Sequence, residues 1–154
     1  MKTLVIFDSQ FGNTQKIAEA IKLGLSGDVL MKRASDVLPE DFTSLGILVV
    51  GSPTQGGRAT QAVQACINAL PAGSLKDVRV AAFDTRFNAE KYNIGYRLIL
   101  RTVKYAAQKI AKDLESKGGQ LIIKPEGFFV SDKEGPLADG ELDRAKAWGA
   151  QLVQ

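Results

Sequence analysis

Three short stretches concentrate the residue types that hold ligands: "DSQFGNT" at residues 8–14, "GSPTQGGRAT" at 51–60 and "DTRFNAEKYN" at 84–93. In the first, Ser9, Gln10, Asn13 and Thr14 carry polar side chains, and Gly12 lets the backbone turn so that successive N–H groups converge. A helix opening near Asn13 would present unpaired N–H groups, which is an anion-binding arrangement. No lysine or arginine lies inside the stretch, so a phosphate there would be held by neutral dipoles. Phe11 stands among the donors with no polar group of its own. The same residues, taken alone, equally describe a strand-to-helix turn capped by Asn13 or Thr14.

In the second stretch Gly56 and Gly57 permit positive φ, so a peptide there can reorient at little cost, or simply close a tight turn into the next helix. It is not a Walker A loop, because the glycines are followed by Arg58 and not by Lys-Ser/Thr. The chain has no histidine and one cysteine, Cys66. That excludes Ser-His-Asp and Cys-His catalysis, an internal disulfide and the usual zinc ligand sets. No catalytic side chain and no metal ligand is therefore expected, and any redox or group-transfer chemistry falls to a cofactor.

The elements that must carry these stretches follow from the apolar pattern. Five short apolar runs, at residues 4–7, 29–31, 46–50, 78–83 and 121–123, read as strands. The third and fourth barely alternate, as strands covered on both faces do. Helical spacing joins Ile17, Ala20, Ile21, Gly24 and Leu25, and then Ala62, Val63, Cys66, Ile67 and Leu70. A further helix is read through Ile99, Val103, Ala106, Ile110 and Leu114, and a last one from Asp139 as N-cap to the C-terminus. The link "RASDVLPEDFTSL" has room for one or two helical turns. Alternating strands and helices predict an α/β doubly wound fold, a five-stranded parallel sheet of order 2-1-3-4-5, as one domain of residues 1–154. In that order the ligand crevice lies beyond the carboxyl ends of strands 1 and 3, where the polar stretches fall. Cys66 and Trp148 read as packing residues.

At 154 residues, with 45% hydrophobic and 24% charged residues, the chain can bury an ordinary core. No apolar run reaches the length of a membrane span, and the N-terminus lacks a signal-peptide core, so a cytoplasmic protein is expected. The net charge is +3. Between Arg86 and Lys117 eight Lys/Arg face three acids, a basic stretch that reads as a solvated face. No nucleic-acid motif accompanies it.

In these features the chain resembles the flavodoxins, the small FMN-binding electron carriers. Their phosphate-loop pattern T/S-x-T-G-x-T/S is met at Ser9, Gly12 and Thr14, with Phe11 in place of the central hydroxyl. Length, element order, the loop after strand 3 and the ending "GPLADGELDRAKAWG" agree as well. The resemblance implies that Ser9, Gln10, Phe11, Gly12, Asn13 and Thr14 wrap the FMN phosphate. It places Pro53, Thr54, Gln55, Gly56 and Gly57 beside the flavin ring, with Gln55 where many members have a tryptophan. On the other side of the ring it places Phe87, with Tyr92 as the other candidate. Asp84 and Thr85 would supply backbone contacts to the pyrimidine edge, and Arg86 would sit near N1. The lost hydroxyl at Phe11 would weaken FMN binding by about 1.5–3 kcal/mol if nothing compensates.

A two-component receiver domain shares this element order but needs an aspartate at the end of strand 3, where the chain has Gly51-Ser52. A low-molecular-weight phosphatase needs Cys-x5-Arg after strand 1, which is absent. The expectation is an FMN-dependent carrier of one or two electrons between redox partner proteins. The alternative is an FMN-dependent quinone or protoporphyrinogen-type oxidoreductase acting on a small substrate. Many flavodoxins are acidic and dock on basic partners; this basic chain points to acidic ones, and to a monomer or weak dimer with no nucleic acid and no membrane span.

Overall fold

The computed structural model describes residues 1–88, 93–102 and 104–154, without the side chains of 100–102. Tyr92 and Val103 lie outside the described residues. Six strands, β1 (Lys2–Phe7), β2 (Asp28–Arg33), β3 (Leu45–Pro53), β4 (Arg79–Phe87), β5 (Gln120–Leu121) and β6 (Glu126–Val130), form one parallel sheet. Its order is β2-β1-β3-β4-β5, with β6 also on β4. The fifth position is thus filled by two segments: β5 pairs with the start of β4 and β6 with its end. Residues 122–125, ending in Pro125, which has no N–H to give a ladder, interrupt them. The expected strand at 121–123 marked the gap more than the strand.

Alternation along each strand sorts the core into two layers. Leu4, Ile6, Leu48, Val50 and Val80 face α2 (Gln61–Asn68) and α4 (Ala106–Ser116), packing on Val63, Ile67, Ile110 and Leu114. Val5, Phe7, Ile47, Val49 and Phe83 face α1 (Asn13–Gly24) and α5 (Glu141–Gln151), packing on Ile17, Ile21 and Trp148. Phe83, Phe128 and Trp148 meet edge to face, with ring centroids 6.2–6.3 Å apart. Helices α1 and α5 approach so closely that a Cβ at Gly149 would lie 2.4 Å from the Ile21 carbonyl oxygen. Cys66 packs against the first layer, where burial pushes its thiol pKa up and leaves it a small apolar residue.

Two expectations are corrected. The helix read from Ile99 through Leu114 is two helices, α3 (Ile94–Thr102) and α4, and Ile99 is exposed while Ala106, Ile110 and Leu114 are buried. The last helix is capped by Gly140 and not by Asp139. Glu141 does more there than favour the helix dipole: its carboxylate accepts the Phe129 N–H at 2.7 Å and two Arg144 donors. The link after β2 holds 3₁₀ turns at Ala34–Asp36 and Pro39–Phe42, within the one or two turns expected. Among the described residues no helix is long and apolar enough to cross a membrane.

Candidate functional site

The three polar stretches leave the carboxyl ends of β1, β3 and β4 and meet around a cavity of about 440 Å³, within the range of small-molecule sites. Each is set by local structure. Gly12 is the N-cap of α1 at φ 91°, a left-handed conformation that costs a residue with a Cβ about 1–2 kcal/mol. Neither Asn13 nor Thr14 caps the helix: the N-cap is Gly12, and the first-turn Gln15 N–H is taken by the Ser9 hydroxyl at 3.4 Å. The Ser9 hydroxyl also accepts the Gly12 N–H at 3.0 Å, and the Asn13 amide donates to the Glu134 carbonyl at 3.1 Å. Thr14 and Thr85 share a hydroxyl hydrogen bond of 2.8 Å, which ties α1 to β4. The loop is clamped from below by Arg33, which donates to Asp8 (3.1 Å) and to the Ser9 carbonyl (3.0 Å). Among the described residues, the N–H groups of Asn13 and Thr14 have no protein acceptor.

The second stretch folds back on itself. Gln55 and Arg58 exchange backbone hydrogen bonds of 2.8 and 3.1 Å around Gly56 (φ 56°) and Gly57 (φ 78°), a two-residue turn that needs positive φ at both positions. Buried Ser52 holds its base by accepting the Thr60 N–H at 2.9 Å and donating to the Pro53 carbonyl. Gln55 reaches across the mouth to Gln10, amide to amide at 2.7 Å.

At the start of the third stretch Asp84 and Arg86 spend their charges on each other. Asp84 is fully buried and takes two hydrogen bonds from Arg86, at 2.6 and 2.7 Å, and a third from the Ala107 N–H at 2.9 Å. Burial pushes its carboxyl pKa up, and the Arg86 guanidinium pulls it back. Arg86 lies 3.8 Å from the Tyr105 ring centroid, in space that Gly127 leaves open: a Cβ there would stand 2.1 Å from Nε. Thr54 accepts the Ala106 N–H at 3.0 Å. Together Asp84 and Thr54 satisfy the first N–H groups of α4.

The cavity wall takes in Ser9, Gln10, Phe11, Asn13 and Thr14 from the first stretch and Pro53, Thr54, Gln55, Gly56 and Gly57 from the second. Thr85, Arg86 and Phe87 come from the third. Gly12 and Asp84 stand behind it and shape it. Sequence reasoning missed Tyr105, Val130 and Lys133, which also line it. Reading a continuous helix across residue 105 hid the first. Val130 ends β6 and Lys133 follows it, and the strand's apolar "EGFFV" was the signal that could have found them.

The flavodoxin family model matches residues 5–85, more than half of the chain. The chain belongs to the flavodoxin family. Flavodoxins bind FMN and transfer electrons, and so does this one. A flavodoxin from the domain Archaea has a similar structure, with 21% identity, a TM-score of 0.75 and coverage of 99% of this chain and 96% of that one. Oxidised flavodoxin 2 from Bacillus cereus follows at 17% identity and 0.75, covering 99% and 97%. The flavodiiron protein from Giardia intestinalis gives 17% and 0.76, with 98% of this chain on 35% of that one. These likenesses speak to the fold. No curated protein sequence matches the chain.

The donor set fits FMN. A dianionic phosphate suits the Asn13 and Thr14 amides at the α1 terminus, which have no acceptor among the described residues, and the Ser9 and Thr14 hydroxyls. The apolar faces of Phe87 and Tyr105 suit a flat ring.

Proposed function

We propose that this flavodoxin carries one or two electrons at a time between redox partner proteins in the cytoplasm, as a single domain of residues 1–154. The observation that carries the reading is the convergence of residues from three polar stretches, with the Asn13 and Thr14 amides of α1 unpaired among the described residues, on one cavity at the carboxyl edge of the sheet. Bound FMN supplies the redox chemistry, and the protein supplies orientation and electrostatics. Ser9, Gln10, Phe11, Gly12, Asn13 and Thr14 wrap the phosphate: the Asn13 and Thr14 amides donate to it, and Thr14 can do so with its hydroxyl while accepting from Thr85. Pro53, Thr54, Gln55, Gly56 and Gly57 flank one side of the ring, the two glycines leaving their peptides free to turn. Thr85 and Phe87 flank the other, with Tyr105 beside them. Asp84 fixes Arg86 so that the guanidinium faces the cavity in one orientation.

Partner proteins approach a mouth where Phe11 and Phe87 are 41% and 38% exposed and Arg58 and Lys104 carry positive charge. That composition and the net charge of +3 favour acidic partners. The test is a titration with FMN followed by stopped-flow mixing of the reduced protein. Quenching of FMN fluorescence at micromolar concentrations, slow reaction with NAD(P)H and quinones, and fast exchange with an acidic redox protein are expected. Rapid turnover with NAD(P)H or a quinone would replace the carrier by an oxidoreductase with a small substrate.

A further inference from the structure

We infer that Lys133 is the cation of the phosphate end, and that it makes this flavodoxin select FMN over unphosphorylated flavin. The inference rests on the reading that residues 9–14 hold the phosphate. Lys133 belongs to the turn of residues 132–135 that follows β6, closed by the Gly135 N–H on the Asp132 carbonyl at 3.0 Å. That turn is docked on the first turn of α1. The Asn13 amide donates to the Glu134 carbonyl, and Gly135 lies so close that a Cβ would stand 2.7 Å from Asn13 Oδ1. Lys133 therefore lines the cavity from beside the amides that bind the anion.

Of the cations lining the cavity among the described residues, Arg86 is held by both oxygens of Asp84. Arg33, outside the wall, is paired with Asp8. Lys133 enters no salt bridge among the described residues, and no carboxylate is among those lining the cavity. Of the acids that flank it in the chain, Asp132 accepts the Lys133 backbone N–H at 2.7 Å and forms no salt bridge with its ammonium. An ammonium on a four-carbon stem needs no fixed geometry to meet a phosphate, unlike a guanidinium. A charge there offsets the hydroxyl that Phe11 lacks.

Fluorescence titrations with FMN and with riboflavin, at low salt and at about 0.5 M salt, test this on the purified full chain. Lys133→Gln should weaken FMN binding about three- to fivefold at low salt, the size of an exposed charge pair, and leave riboflavin binding unchanged. Lys133→Arg should retain FMN affinity, and high salt should shrink the difference between wild type and Lys133→Gln. Unchanged FMN binding by Lys133→Gln, or an equal loss of both flavins, would overturn the inference while leaving the FMN site in place. A wild type that binds riboflavin as tightly as FMN, or binds neither, would overturn the phosphate placement itself and the inference with it.

Discussion

The loop after β1 and the end of β4 flank the same cavity and use their polar groups in opposite ways. After β1, the structure leaves donors unspent: the N-cap is a glycine with no side chain, and the amides of Asn13 and Thr14 find no acceptor among the described residues. At the end of β4 the described charges are consumed at home, with Asp84 taking Arg86 and the first turn of α4. Unspent dipoles at a helix terminus await an anion from outside, whereas a closed ion pair with an aromatic lid serves as a rigid wall. The pocket therefore has a polar, receptive end and an apolar, scaffolded end, which is what a phosphorylated flavin presents.

The sharpest way to break this contrast is to open the closed pair. Arg86→Met leaves a buried carboxylate without its partner and should lower stability by about 3–5 kcal/mol at neutral pH, read by urea unfolding. The sign with pH is set by the raised Asp84 pKa. Stability contributed by such a group is full below the ordinary aspartate value and is lost as pH rises through the folded one. The deficit of Arg86→Met should therefore shrink in acid, and adding Asp84→Asn should remove its pH dependence; a deficit independent of pH would mean Arg86 acts only through packing. At the receptive end, Phe11→Thr restores a hydroxyl and should tighten FMN by about 1.5–3 kcal/mol, with riboflavin as the control. No change, or a loss, would mean that the phosphate is held elsewhere.

Gly12→Ala should cost about 1–2 kcal/mol, because φ is 91°. Nothing lies within 4 Å of the added Cβ, so the cost is purely that of the backbone. Thermal unfolding measures it, and a neutral result would show the loop can relax to negative φ. The smallest effect is expected at the seam between the two ends. Thr85→Val removes one hydroxyl from the buried pair with Thr14 and should cost about 0.5–1.5 kcal/mol. If FMN affinity fell with it by more than stability did, Thr14 would depend on Thr85 to aim its proton at the phosphate.

How much of this was legible differs by region. The first four strands and the helices packing on them were readable because continuous β-branched runs and 3.6-residue spacing are properties of the chain itself. The break between α3 and α4 was not. Ile99 keeps helical register with Ala106, Ile110 and Leu114, and periodicity cannot reveal that Thr54 and Asp84, distant in sequence, supply acceptors for a new helix start at Ala106. Likewise Asp84 carried the look of a ligand-facing residue after a strand, and only the packing of α4 over β4 shows its carboxylate turned into the protein.

The sequence by itself determined the doubly wound order, the three polar loops at one edge and the flavodoxin pattern around Gly12, since all of these rest on local residue types and their spacing. The tertiary structure alone decided which of the polar groups remain available. It closed Arg86 onto Asp84, left the Asn13 and Thr14 amides without an acceptor among the described residues, and brought Lys133 from the far end of the chain to the cavity wall. Whether a donor is free or spent depends on partners many residues away, and those are set only when the sheet and its helices pack.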